Sequence, residues 1–107
     1  MDFYLGDRID EIDFNDECAE FSDELISYIS RNERKFDFDM TAFYSIDPYN
    51  CEELSAECIE KLIVICENLL RTDLFDQFDE YVQMIMSLKE IAGKAIETGC
   101  GLVSIGD

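Results

Sequence analysis

Two adjacent helical patterns in the second half of the chain constrain the fold most. Between residues 59 and 70 the apolar side chains recur at intervals of three and four, the spacing of one face of an α-helix. Residues 64–65 are also apolar and widen that face, so we expect a central helix covered on two sides. We expect it to begin near Cys51 or Ser55 and to end near Arg71.

The second pattern follows directly and is longer. Apolar residues keep helical spacing for about twenty residues, from Phe75 to Ile96. We expect this helix to start at Thr72 or Asp73. Gly99 should end it, because glycine adopts the positive φ of a helix terminus without strain.

A third helix is predicted at about residues 16–33. Asn15 or Asp16 could cap its start, and cations cluster where it would end. One apolar stripe runs along it, formed by Phe21, Leu25, Tyr28 and Ile29.

The remaining segments have no helical period. Residues 2–14 fit an irregular arm, a short strand or a helical turn, and residues 35–49 fit an extended or looped segment that reaches a turn at Asp47-Pro48. Residues 101–107 fit a short strand or a docked tail. The expected fold is therefore mainly α: one domain over residues 1–107, a compact bundle of three to four helices, with short extended segments or a minor strand pair.

Charge limits the partners that this chain can bind. It has 26 acidic against 8 basic residues, a net charge of −18, and no histidine. Such a surface opposes binding to nucleic acid or to anionic membranes. Since 48% of the residues are hydrophobic, an acidic disordered tail is also excluded. We expect a basic protein partner.

The cysteines and the amino-terminal region favour a cytoplasmic protein. No apolar run resembles a signal peptide or a membrane span. The five cysteines are an odd number and lack C-x-x-C spacing. We interpret them as small apolar side chains, with Cys100 as the one candidate for reactivity.

No catalytic or cofactor motif is present. There is no phosphate-binding glycine loop and no nucleophile elbow. The Asp37-x-Asp39 pair lacks the further ligands and the glycine of an EF-hand. We therefore expect no enzyme activity, no cofactor and no metal.

The densest acidic region predicts the partner-binding site. Ten carboxylates and one cation lie between Asp2 and Glu24, on what we expect to be one face of the first helix and its approach. Acidic loop residues and an aromatic one should assist. The predicted partner-binding residues are Asp10, Glu11, Asp13, Asp16, Glu17, Glu20, Asp37, Asp39, Asp47 and Tyr49.

Three other interpretations stay open. The first acidic face could be merely solvated. A second cluster competes with it, formed by Asp73, Asp76, Asp79 and Glu80, although proximity to a helix start explains part of that cluster. Phe43 and Tyr44 could belong to the core instead of gripping a partner.

The chain resembles the small acidic immunity proteins of bacterial polymorphic-toxin and contact-dependent growth inhibition systems. The resemblance lies in residues 44–49 (YSIDPY), in the helix of residues 58–70 and in the closing GLVSIGD segment, residues 101–107. It implies a cognate toxin domain, often a nuclease, that is neutralised by occlusion. The alternatives are a nucleic-acid mimic that inhibits a DNA-binding protein and a small helical adaptor subunit.

Overall fold

A four-stranded antiparallel sheet with helices packed against one face forms the fold. The computed structural model describes residues 1–106. Its elements in chain order are β1 (Asp2–Leu5), β2 (Cys18–Glu20), α1 (Asp23–Arg31), α2 (Thr41–Tyr44), β3 (Glu52–Leu54), α3 (Ala56–Arg71), α4 (Asp79–Thr98) and β4 (Leu102–Ile105). Three 3₁₀ turns cover residues 9–11, 33–35 and 73–75.

The sheet joins distant parts of the sequence in the order β2-β1-β4-β3. In the centre, Phe3 pairs with Ser104 and Tyr4 pairs with Val103. Strands β2 and β3 form the two edges and contain three residues each. The expectation of helices is met by four of them, but the sheet is larger than the minor strand pair we expected, so the architecture is mixed α and β.

Helices α3 and α4 confirm the two strong periodic patterns. Ser55 caps α3, since its Oγ accepts a hydrogen bond of 3.2 Å from the backbone N–H of Cys58. Gly99 ends α4 with a φ of 70°. The predicted start at Thr72 or Asp73 was wrong: the 3₁₀ turn at residues 73–75 comes first, and α4 begins at Asp79.

The helix predicted at residues 16–33 begins later in the structure, at Asp23. Residues 18–20 form β2, and Phe21 extends the pairing because its N–H donates to the carbonyl of Met1. The cap is Ser22, not Asn15 or Asp16, and its Oγ accepts from the N–H of Leu25 at 3.2 Å. Backbone pairing with β1 thus overrides the local preference for helix in an acidic segment.

The weakly patterned segments became short elements. Two of the three alternatives for residues 2–14 are present in part, because residues 2–5 form a strand and residues 9–11 a helical turn. Residues 41–44 form a short helix inside the segment expected to be extended or looped. Residues 102–105 form β4, whereas Asp107 lies outside the described residues.

The core lies between the helices and one face of the sheet. Phe3, Ala19 and Leu102 point to this side and are fully buried or nearly so. Phe21 connects the layers, with its ring centroid 5.9 Å from that of Phe3 and 5.8 Å from that of Phe43. The opposite face of the sheet is turned away from this core.

Candidate functional site

An acidic loop, residues 6–17, connects β1 to β2. It contains six carboxylates and a single cation, Arg8, and all seven of these side chains are exposed. The acidic residues are Asp7, Asp10, Glu11, Asp13, Asp16 and Glu17. The loop is therefore a dense concentration of negative charge on the surface.

Specific contacts hold the acidic loop against the sheet. The N–H of Gly6 donates to the carbonyl of Gly101 at 3.0 Å. Farther along, the N–H of Ile9 donates to Oε2 of Glu53 at 2.9 Å, so the loop reaches across to edge strand β3. The loop is therefore attached to the sheet at its first residue and again at Ile9.

The acidic loop covers the outer face of the sheet, the face turned away from the helices. Side chains alternate along a strand, so Tyr4 and Val103 point to this face while Phe3 points to the core. Both are buried. The ring of Phe14 meets that of Tyr4 edge-on, with centroids 5.7 Å apart, although Phe14 itself is 64% exposed. A thin apolar cover thus separates the sheet from the charged surface.

Burial changes the chemistry of Tyr4. It raises the pKa of the phenol to about 12, with smaller contributions from the neighbouring Cys18 and Asp2. The neutral phenol is therefore the form that the outer face accommodates.

Few of the carboxylates have a cationic partner. Among residues 1–106 there are three ion pairs, and one of them, Arg8 to Asp10 at 3.3 Å, lies in the acidic loop. The other two link neighbouring turns of α3 and α4, Glu57 to Lys61 at 3.1 Å and Glu90 to Lys94 at 3.7 Å. The charge of the loop is left almost uncompensated within the described part of the chain.

The first six predicted partner-binding residues lie in the acidic loop and in β2, not on a helix. Asp10 and Glu11 lie in the 3₁₀ turn, and Asp13, Asp16 and Glu17 follow in the loop. Glu20 lies in β2, where its side chain alternates to the outer face. The predicted acidic helix face was wrong because residues 16–20 are loop and strand.

The other four predicted residues lie elsewhere. Asp39 accepts hydrogen bonds from Thr41, and these bonds lower the pKa of its carboxyl. Asp37 precedes it on the same exposed connection. Asp47 stabilises its own turn, accepting from the N–H of Tyr49 at 2.8 Å and from Asn50 at 2.6 Å.

The turn at residues 47–50 stands apart from the acidic loop. It touches Gly106, which follows β4, whereas the loop begins against Gly101, which precedes β4. The two lie at opposite ends of that strand. Tyr49 is 75% exposed there, at the end of β4 opposite to Gly6.

A groove between α2 and α3 was not predicted. Its volume is about 660 Å³, and its lining includes Ala42, Val64 and Ile65 with Asp39, Glu57 and Glu60 at the sides. Val64 is 57% exposed, although the sequence indicated a helix covered on two sides. The excess apolar width of α3 was the available signal, and it marked an open groove instead of a second packing layer.

The second acidic cluster surrounds an aromatic group. Tyr28, Phe75, Phe78 and Tyr81 have ring centroids 5.1 to 5.6 Å apart. The Tyr28 hydroxyl donates to the carbonyl of Leu74 at 2.6 Å. The aromatic group packs α1 against the start of α4 and therefore has a structural role.

The two aromatic residues at the end of α2 differ in exposure. Phe43 is buried in the core, while Tyr44 is exposed. The core interpretation is therefore correct for Phe43 and wrong for Tyr44.

The cysteines are free thiols in the described structure. Burial raises the pKa of Cys66 to about 12, and burial followed by the charge of Glu52 raises that of Cys58. Within residues 1–106, no three Cys, Asp or Glu side chains are grouped as a metal site would require.

Comparison with known proteins supplies no family. No family model, curated protein or solved structure matches the chain. In residues 1–106, none of the helices has the length and apolar character needed to cross a membrane.

Proposed function

We propose that the protein is an inhibitor that binds a basic protein partner, and specifically an immunity protein that neutralises a cognate bacterial toxin domain. The observation that carries the proposal is the acidic loop. It presents uncompensated carboxylates on a support anchored to Gly101 and Glu53. Such an arrangement suits a protein partner whose surface carries Lys and Arg side chains.

The mechanism has two steps. The net charge of −18 attracts the cationic surface of the toxin at long range and raises the association rate. The loop then covers the surface that the toxin needs for its substrate. A nuclease must present cations to phosphate groups, so a nuclease domain is the best-matched target.

Repulsion within the loop adds to the driving force. Asp10, Glu11 and Asp13 lie within four residues of the chain, and the one cation of the loop, Arg8, pairs with Asp10. Like charges held near one another raise the free energy of the unbound protein. A cationic partner relieves this repulsion, and a neutral surface could not.

Co-expression tests the proposal. Cells that produce the toxin domain encoded beside this chain should survive when this chain is produced with it and die when it is absent. Survival should fall when the loop carboxylates are changed to their amides. Equal killing with and without the intact chain, for every neighbouring reading frame, would show that the chain is not an immunity protein.

A further inference from the structure

We propose that the groove between α2 and α3 is a second contact surface, which receives an apolar side chain from a basic amphipathic segment of the partner. This inference rests on the proposed function, because it specifies which part of the partner the protein grips. The acidic loop gives attraction at long range. The groove would supply the desolvated anchor that holds the complex together.

The shape and lining of the groove suit an apolar anchor. Its floor and walls include Ala42, Val64 and Ile65, and its volume of about 660 Å³ accommodates a large side chain. Val64 stands exposed in the middle of α3, where a solvated helix face would carry a polar residue. A few side chains buried at the centre of an interface give most of its affinity.

The charge around the groove selects a cationic occupant. Asp39, Glu57 and Glu60 lie along it, with Lys61 as the cation among its lining residues. Lys61 is already paired with Glu57 at 3.1 Å. A segment with Lys or Arg on either side of an apolar side chain would therefore match both the floor and the rim.

Other occupants fit less well. A second copy of the chain would bring a further net charge of −18 against an acidic rim. A basic segment from a different protein is the occupant that the charges favour.

The groove and the acidic loop form one continuous surface. A shallow hollow along edge strand β3 is lined by Ile9 of the loop and by Ser55 and Cys58. Ser55 and Cys58 also line the groove. A partner that lies over the loop can therefore extend across β3 and place a side chain beside Val64 without leaving the protein surface.

Peptide binding to the full chain tests this inference. The probe is a helical peptide with one face of leucine and the rest lysine, and its control replaces each leucine with serine at equal charge. The leucine peptide should bind more tightly and shift the amide resonances of Ala42 and Val64. Val64→Gln should weaken its binding about tenfold, because burial of one aliphatic side chain is lost.

Met86→Gln is the matched control variant. Met86 is 48% exposed on α4 and is not among the residues that line the groove, so this variant should bind the leucine peptide like the parent. Both variants alter an exposed side chain, and thermal unfolding will check that both fold. A difference between them therefore reports on the groove alone.

Three outcomes would overturn the groove inference: equal binding of the two peptides, parental binding by Val64→Gln, or no binding of the leucine peptide. None of these would affect survival in the co-expression test, which depends on the toxin domain and on the acidic loop. Loss of survival protection with intact groove binding would instead refute the immunity function. The two proposals therefore fail separately.

Discussion

The two faces of the sheet are covered in opposite ways. On the helix side, Phe3 and Ala19 lie in a continuous apolar core that also contains Phe21. On the outer side, Tyr4 is covered by an acidic loop whose one aromatic contact, Phe14, is mostly exposed. Two strand neighbours, Phe3 and Tyr4, thus meet different environments.

This difference separates stability from recognition. The helix side is filled by apolar side chains, so its contribution to folding does not depend on a partner. The outer side concentrates like charges that slightly oppose folding but attract a cation. A protein built to bind a basic partner tightly gains from keeping these two demands on separate faces.

The largest expected effect is loss of the core aromatic Phe21. Phe21→Ala should lower the free energy of unfolding by about 3–5 kcal/mol, because it leaves a cavity between two packed rings. Phe14→Ala, on the outer face, should cost only about 1 kcal/mol, the range of one aromatic pair. Urea unfolding of both variants measures this. Equal losses would mean that the loop is part of the core.

Neutralising the acidic loop should have the next largest effect, on the association rate. The loop variant changes Asp10, Glu11, Asp16 and Glu17 to their amides, and a control variant changes Asp73, Asp76, Asp79 and Glu80 in the same way. The loop variant should associate with the toxin domain at least about tenfold more slowly at low salt. The control should change the rate much less.

Stopped-flow measurements at low and high salt separate these outcomes. The difference in association rate between the parent and the loop variant should shrink as the salt concentration rises, because the screening length is about 8 Å at physiological ionic strength. Association rates that do not vary with salt would argue against electrostatic steering. If the control variant loses binding and the loop variant keeps it, the second acidic cluster is the binding surface.

A smaller effect tests where α1 begins. Ser22→Ala should destabilise the protein by about 1 kcal/mol, because the N–H of Leu25 loses its acceptor. Asp16→Ala should leave stability nearly unchanged or raise it slightly, since Asp16 lies in the loop and caps no helix. Thermal unfolding checks both. A larger loss of stability for Asp16→Ala than for Ser22→Ala would indicate that the helix starts near Asp16, as the sequence predicts.

The sequence predicts the long helices well because their signals are local. Ser55 marks the start of α3 and Gly99 the end of α4, where the capping rules place them. Apolar residues at intervals of three and four suffice to identify each helix. No contact between distant parts of the chain is needed for that inference.

The sheet could not be predicted because its strands are short and their partners are distant. Strand β1 pairs with β4 from the other end of the chain, and β2 has only three residues. Phe21 and Leu25 then fit a helical stripe, although Phe21 precedes the helix. The candidate site was misplaced for the same reason. Its acidic residues were expected on a helix, but most of them lie in a loop that crosses the sheet.

The last expected effect is zero at neutral pH and concerns Tyr4. Its pKa is about 12 in the folded protein against 10.0 as its ordinary value. As pH rises above 10, the unfolded chain releases the proton first, so the folded state binds more protons and loses stability between pH 10 and 12. Below pH 10 both states keep the proton, and the group contributes no pH dependence.

Comparison with Tyr4→Phe isolates this group from the other titrating residues. The parent should lose more stability than Tyr4→Phe between pH 10 and 12, and urea unfolding across that interval measures the difference. Tyr44→Phe is the control. Partial burial and Glu33 raise the pKa of Tyr44 as well, but this residue at the end of α2 is exposed, so its effect should be smaller. Parallel curves for the parent and Tyr4→Phe would mean that the phenol already contacts water, and that the acidic loop opens from the outer face instead of covering it.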